Sequence, residues 1–513
     1  FNSLGNPNPD AWVAKLSPDG RTLLYCGFVG GAAADEGNGI AVDALGNAYL
    51  VGTTASTEVT FPVVNGPDLT YNVGGASNAF VARVNATGTA LDYCGYLGGA
   101  GTTSGSGIAV DAVQSAYLTG TTNANQTSFP VVGGPDLTYN DNGTFADAFV
   151  AKVLPTGTGL EYCGYVGGAA GDEGRGIAVD RDRNAYLIGS TTSDQNTFPV
   201  RVGPDLALGR LADAFVAKLN AAGSELTYCG YVGGNGIDLG RGIAVDGTGS
   251  AFLTGITQSS ETQGFPFWLG PDVTLSGVQD AFISQVDPSG RFLRYAGYIG
   301  GAAEEEGRAV AVDAAGSAYV TGLTLSNEVS NFPLLVGPQL RARDLSNAFV
   351  SKIDVSRALP ERRAPVVTIK SPEPERGQPD PTPILVDIFD PSPVTWDLLL
   401  DGRIVRIGNT TGENAINERL TVGNGTHLIE VNARDGESWT TARRSFHVGG
   451  LDRRAPVVAI VNPRDNTRNA NPVQVLINIE DESSVVWDVL IDNALFLRGT
   501  ATGRGAINTQ VSL

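Results

Sequence analysis

Short apolar runs broken by glycine-rich and polar turns fill the first two thirds of the chain, and the same succession of runs returns at a nearly fixed interval. GIAVDALGNAYLVGTT at Gly39–Thr54 reappears from Gly107, Gly176 and Gly242 and, as AVAVDAAGSAYVTGLT, from Ala309. Val42, Val110, Val179, Val245 and Val312 of these copies lie 66 to 69 residues apart. One supersecondary unit copied in tandem explains such a pattern before any single residue needs a role.

Each unit offers four strand candidates: GIAVD, AYLVG, then after a long connection NAFVARV, and LDYCGYLGG. Runs of Val, Tyr and Phe bounded by Gly, Asn and Asp are the sequence form of short strands, and four antiparallel strands make a propeller blade. The small, unalternating IAV run suits the crowded centre of a ring. The aromatic and charged DAFVAKL and LxYCGY runs suit its rim. The connection before the third strand repeats FPV and GPD at Phe61–Tyr71, Phe129–Tyr139, Phe198–Leu208, Phe265–Leu275 and Phe332–Leu340, which predicts an ordered excursion packed on the blade. The acid ending each first strand (Asp43, Asp111, Asp180, Asp246, Asp313) is expected to close the following turn by accepting backbone N–H bonds.

Five inner strand pairs and five YCGY-type strands stand against six DAFV-type strands, the last at Asn347–Ile353. If the ring closes through the strands of Asp10–Gly31, these complete the blade begun by Ala309–Thr324, and one DAFV-type strand is surplus. The fold expected is therefore all-β: a propeller over 10–354 of five blades, or six or seven if the chain extends upstream, preceded by an extended leader at 1–9.

After a linker at 355–363 the repeat length changes. RRAPVVTIKSP at Arg362 returns as RRAPVVAIVNP at Arg453, and PVTWDLLLDG at Pro393 as SVVWDVLIDN at Ser484, with an offset of 91 residues. That length and the alternation in VTWDLLL and HLIEVNARD predict immunoglobulin-like β-sandwiches at 364–450 and 451–513, with Trp396 and Trp487 as core anchors. The second copy ends where the first reaches Val422, so two strands are expected to be missing from it, leaving an open edge.

The series DAFVAKL, YCGYxGG, GIAVDxxGNAYLxGTT and FPV resembles the SBBP family of bacterial and archaeal β-propeller repeats over about residues 10 to 354. The resemblance implies a propeller fold and a secreted or cell-surface location, often with immunoglobulin-like modules attached. It brings no catalytic motif with it.

A formal charge of −20 and the absence of basic runs oppose nucleic acid and anionic membranes as partners. No apolar run approaches the roughly 20 residues needed to span a bilayer. Cys26, Cys94, Cys163 and Cys229 hold one slot in successive units, too far apart across stacked blades for disulfides, and read as small buried hydrophobes. His427 and His447 fall on ordinary strands. GxSxG, HExxH, P-loop and CxxC motifs are absent, so the chain is expected not to be an enzyme.

Acidic loops enter four of the five inner strands, and Asp35, Glu36, Asp172 and Glu173 are the weak candidates for a Ca²⁺ site built from hard oxygen ligands; no other cofactor is expected. Asn85, Asn125, Asn142, Asn409 and Asn424 begin N-glycosylation sequons. These features point to an extracellular structural or adhesive protein, the subunit of a fibre or surface layer that self-associates by strand complementation at the incomplete sandwich. A propeller that binds or processes glycans, with sandwiches as spacers, is the alternative.

Overall fold

The computed structural model describes residues 8–140, 144–267, 270–337, 339–342, 344–354, 365–372, 381–434, 439–448, 457–462, 473–491 and 494–511, with backbone alone at 391–393, 411–415, 439 and 457–511. Two compact units divide the chain, Phe1–Ala358 and Leu359–Leu513.

Among its described residues the first unit is all-β apart from one turn of 3₁₀ helix at Glu261–Gln263. It opens with β1 (Ala11–Leu16) paired to β2 (Leu23–Val29). Four antiparallel sheets of four strands follow. They are β3 (Asp35–Val42), β4 (Ala48–Thr54), β5 (Asn78–Val84) and β6 (Leu91–Leu97); β7 (Thr103–Val110), β8 (Ala116–Thr122), β9 (Asp147–Val153) and β10 (Leu160–Val166); β11 (Asp172–Val179), β12 (Ala185–Thr191), β13 (Asp213–Leu219) and β14 (Leu226–Val232); and β15 (Asp238–Val245), β16 (Ala251–Thr257), β17 (Asp280–Val286) and β18 (Leu293–Ile299). A three-stranded sheet of β19 (Glu305–Val312), β20 (Ala318–Thr324) and β21 (Asn347–Ile353) ends the series.

Within each sheet the strands run in chain order, as a meander of blades requires. Successive first strands, β3, β7, β11, β15 and β19, lie against one another. This places the IAV runs on the common inner side, as their small side chains foretell. Glycine is required there for close approach: a Cβ on Gly107 would sit 3.1 Å from Arg175 O, and one on Gly242 3.1 Å from Arg308 O.

The third strands are the most deeply buried, with Phe80, Phe149, Phe215 and Phe282 wholly inside. The excursions fold back onto them. Phe61 meets Phe80 edge-on at 5.3 Å and Tyr96 at 5.4 Å, and Phe129 and Phe198 repeat the wedge on Phe149 and Phe215 at 5.5 and 5.2 Å. A buried aromatic trio of this kind anchors a long loop that has no strands of its own. Each AVD acid closes its turn as expected. Asp43 accepts from the N–H groups of Leu45 and Asn47, both at 2.9 Å, and from the Tyr49 hydroxyl at 3.0 Å. Burial opposes ionisation of this acid, but the bonds from Asn47, Tyr49 and Leu45 outweigh it and hold the carboxyl below its usual range.

One expected pairing is not the one formed. The sequence places β1 and β2 beside Ala309–Thr324, yet β20 pairs with β21, Tyr319 opposite Lys352 and Thr321 opposite Val350. DAWVAKL and NAFVSKI are copies of one strand and fit the same register, so the strand joined to β20 by the shorter connection takes the place at the lower entropic cost.

The second unit contains β22 (Val366–Ser371), β23 (Thr382–Leu400), β24 (Arg403–Leu420), β25 (Gly425–Arg434) and β26 (Trp439–Val448), joined in one five-stranded sheet. The first half of β23 pairs with β22 and its second half with β25, and the register breaks between Asp390 and Pro393, where Pro391 and Pro393 cannot donate to the ladder. Ile384, Val386, Ile388, Leu398, Ile429 and Val431 form its core. The strands β27 (Val457–Asn462), β28 (Val473–Ile491) and β29 (Ala494–Val511) repeat the arrangement as a three-stranded sheet, with Trp487 opposite Gly499 as Trp396 is opposite Gly408.

Candidate functional site

Chemistry in this chain concentrates where one blade meets the next. The alternation of side chains along a strand divides each acidic pair that the sequence singles out. Asp35 and Asp172 point into the junction and are buried, while Glu36 and Glu173 face solvent. The four Ca²⁺ candidates are therefore spread over two junctions, and among the described residues no three His, Cys, Asp or Glu side chains gather into a metal-sized group.

The buried member of each pair is held by donors from its own blade. Asp35 accepts from Gly31 N–H at 2.6 Å, from Ser56 Oγ at 2.9 Å and from Thr54 Oγ1. Asp172 and Asp238 repeat the arrangement with Gly168 and Ser193 (2.7 and 2.9 Å) and with Gly234 and Ser259 (2.8 and 2.7 Å). In the last sheet Glu305 takes the slot, accepting from Gly301 N–H at 2.8 Å and Thr324 Oγ1 at 2.7 Å.

A second acid, invisible as a partner in the sequence, faces it from the preceding blade. The DAFV motif begins with Asp147, Asp213 and Asp280, all buried, and Asp213 and Asp280 face the acid of the next first strand, Asp238 and Glu305. A Cβ on Gly233 would lie 2.5 Å from Asp213 Oδ1 and 2.9 Å from Asp238 Oδ2, so both carboxyls converge on one glycine. Burial, and then the charge of Asp238, pushes the Asp213 carboxyl up to about 7. Burial, countered in part by Ser276 N–H and aided by Glu305, pushes Asp280 up to about 7 as well. Asp172 is raised by burial to about 6. Two carboxyls in one dry space cannot both ionise cheaply, so the second is held back from ionising. The junction between the first two complete sheets is the exception: Asn78 and Thr103 stand there, and Thr103 bonds Thr122 at 2.8 Å.

The outer excursions carry a second repeated feature. The residue after each GPD or GPQ turn is apolar and nearly equally exposed in every unit: Leu69, Leu137, Leu206, Val273 and Leu340, at 43% to 45% except Leu206 at 46%. The turn beneath is fixed from both sides, since Asp68 Oδ1 accepts from Thr70 N–H at 2.9 Å and Asp68 O from Tyr96 N–H at 2.8 Å. The same anchoring recurs at Asp136, Asp205 and Asp272.

Of the sequon asparagines, Asn125, Asn409 and Asn424 are exposed and Asn85 is half-buried in its turn. Asn142 lies outside the described residues. All four cysteines are free thiols. Cys94, Cys163 and Cys229 are buried, and Cys26 is exposed.

Residues 28–58, 94–126 and 162–195 match the SBBP family, described as a beta-propeller repeat. These stretches are similar to SBBP repeats. Each SBBP match spans a junction, from a fourth strand into the first two strands of the next sheet. No curated protein matches the chain. Among solved structures, a gluconolactonase of Xanthomonas campestris is similar over 61% of this chain and 76% of its own, at 14% identity and a TM-score of 0.29. The extracellular domain of a putative hybrid two-component system from B. thetaiotaomicron is similar over 81% of this chain at 10% identity and a TM-score of 0.24, and the chain spans 57% of that protein. The expectation that the chain is not an enzyme is withdrawn on the first of these likenesses, since an enzyme stands among the similar structures. A likeness this low assigns no activity.

Among the described residues no helix is long and apolar enough to cross a membrane.

Proposed function

We propose that the chain is an extracellular structural and adhesive protein that holds its surroundings by many weak, identical contacts. The row Leu69, Leu137, Leu206, Val273 and Leu340 carries this reading: five blades present one apolar side chain each, at the same turn and to the same extent. Covering what remains exposed of one such side chain stabilises a contact by roughly 1 kcal/mol, too little to hold alone. Five on one rigid scaffold act together, because each contact made raises the effective concentration of the next. The exposed sequons at Asn125, Asn409 and Asn424 and the strong net negative charge support a location outside the cell.

Five inner strand pairs support a five-bladed propeller as its body. The matching registers around Trp396 and Trp487 support two immunoglobulin-like modules following it in the chain, in a protein that assembles as a fibre or surface layer. In the first module β25 covers the β23 edge at Thr395–Leu400.

The test replaces the row stepwise with serine, from L69S alone to L69S/L137S/L206S/V273S/L340S, and measures retention of the folded protein on an alkyl-coated surface and on the producing cells. Retention is expected to fall about fivefold per site. Unchanged retention of the fivefold variant contradicts the reading.

A further inference from the structure

The excursion that presents each apolar residue of the Leu69 row has two further recurrent slots. The first is the residue just before it: Asp68, Asp136, Asp205, Asp272 and, in the fifth unit, Gln339. The second reaches the same turn from the start of the excursion. Glu58 accepts from Tyr71 N–H at 3.1 Å, Gln126 from Tyr139 N–H at 3.0 Å and Gln195 from Leu208 N–H at 3.3 Å. Glu261 accepts from Leu275 N–H at 3.4 Å and Glu328 from Ala342 N–H at 3.1 Å. Glutamine makes this bond as glutamate does, so the turn needs an oxygen there and not a charge.

The charge is unevenly shared among the units. The excursions at 55–77, 123–146 and 258–279 carry two acids each and no Lys or Arg: Glu58 and Asp68, Asp136 and Asp141, Glu261 and Asp272. Those at 192–212 and 325–346 carry two acids and two arginines each. Leu69, Leu137 and Val273 therefore stand in negative turns, Leu206 and Leu340 in neutral ones. Among the described residues no Lys or Arg forms an ion pair with Glu58, Asp68, Asp136, Glu261 or Asp272. A hydrocarbon surface that covers Leu69 strips water from Asp68 and Glu58 and returns nothing for it, which costs free energy. A surface that sets ammonium or guanidinium groups beside its apolar side chains offsets that cost.

We propose that the contacts at Leu69, Leu137 and Val273 take a cationic apolar polypeptide, a segment with Lys or Arg next to side chains of leucine or valine size. The inference rests on the adhesive reading of the row and names its partner. Each of the three turns offers one apolar side chain with a carboxylate as its chain neighbour. The N–H groups of Thr70, Thr138 and Thr274 hold those carboxylates in place at 2.9, 2.8 and 3.0 Å. The segment lays its apolar side chain on the row residue and its cation on the carboxylate beside it. The neutral turns at Leu206 and Leu340 add apolar contact without selecting for charge. An anionic bilayer is repelled by the same carboxylates.

The test passes the full chain over two immobilised synthetic peptides, one of alternating leucine and lysine and one of alternating leucine and serine. At an ionic strength of about 0.01 M, where charges act over about 30 Å, retention on the lysine peptide is expected to exceed that on the serine peptide about tenfold. At about 1 M, where that length is about 3 Å, the two are expected to agree within about twofold. E58Q/D68N/D136N/E261Q/D272N is expected to lose the preference at low salt. D19N/E36Q/E173Q/D182N/E304Q removes as many charges from exposed acids outside the excursions and is expected to keep it. Equal retention of the unaltered chain on both peptides at low salt overturns the proposal. Equal loss of preference in both variants also overturns it, because attraction to net charge alone then suffices. Both variants keep the apolar row, so retention on the serine peptide reports the adhesive reading, and the ratio of lysine to serine reports this one.

Discussion

Replacing Asp213 with asparagine isolates the energetics of the blade junctions. The carboxyl sits with Asp238 behind Gly233, and burial together with that neighbour raises it from the usual 3.8 to about 7. At 1.36 kcal/mol per pH unit, ionising it in the folded state at pH 8 costs about 4 kcal/mol relative to the unfolded chain. The sign follows from proton binding. Between pH 4 and pH 7 the folded state holds a proton that the unfolded state has released, so stability is full below the unfolded value and is lost as pH rises through 7. Asparagine carries no such proton. Its carbonyl oxygen still accepts from Gly209 N–H, as Asp213 Oδ2 does at 2.8 Å, and its amide can donate towards Asp238. Nature has made a similar exchange at the junction of Asn78 and Thr103. Asp213→Asn should thus leave the melting temperature nearly unchanged at pH 4 and raise it by several degrees at pH 8, with the gap opening between those values. Scanning calorimetry of both proteins from pH 4 to pH 8 measures it. A gap that is constant with pH, or a variant less stable at pH 8, refutes the reasoning.

Two further outcomes follow from the packing. Phe198→Ala removes the wedge that contacts Phe215 at 5.2 Å and Tyr231 at 5.5 Å and should cost about 3 to 5 kcal/mol, with amide exchange quickening first in the Phe198–Leu208 loop. Gly189→Ala forces a Cβ onto Glu173 O and the Phe215 ring, so the protein should not accumulate in folded form, whereas Gly247→Ala, which meets nothing, should behave as wild type in circular dichroism.

The strands, the blade period and the turn acids were legible because they depend on residues close in sequence. GIAVD and AYLVG lie within one hairpin, and Asp43 bonds groups two to six residues away. The junction acids were not, because Asp213 and Asp238 meet only once the next blade is stacked, and nothing in either motif names the other. Asp35 and Glu36 looked like a pair by adjacency, although strand alternation sends them to opposite faces. The rivalry of β1 and β21 for β20 is likewise undecidable from sequence, since both are copies of one strand with one register. The leucines after GPD were visible as repeats, but their equal exposure needed the fold.

The account holds that the chain is a repeat scaffold that binds through one apolar side chain per unit. Retention of the folded L69S/L137S/L206S/V273S/L340S variant on an alkyl-coated surface tests this most directly. Retention far below that of the unaltered chain, with the same circular dichroism spectrum, is expected. Retention equal to that of the unaltered chain would contradict it.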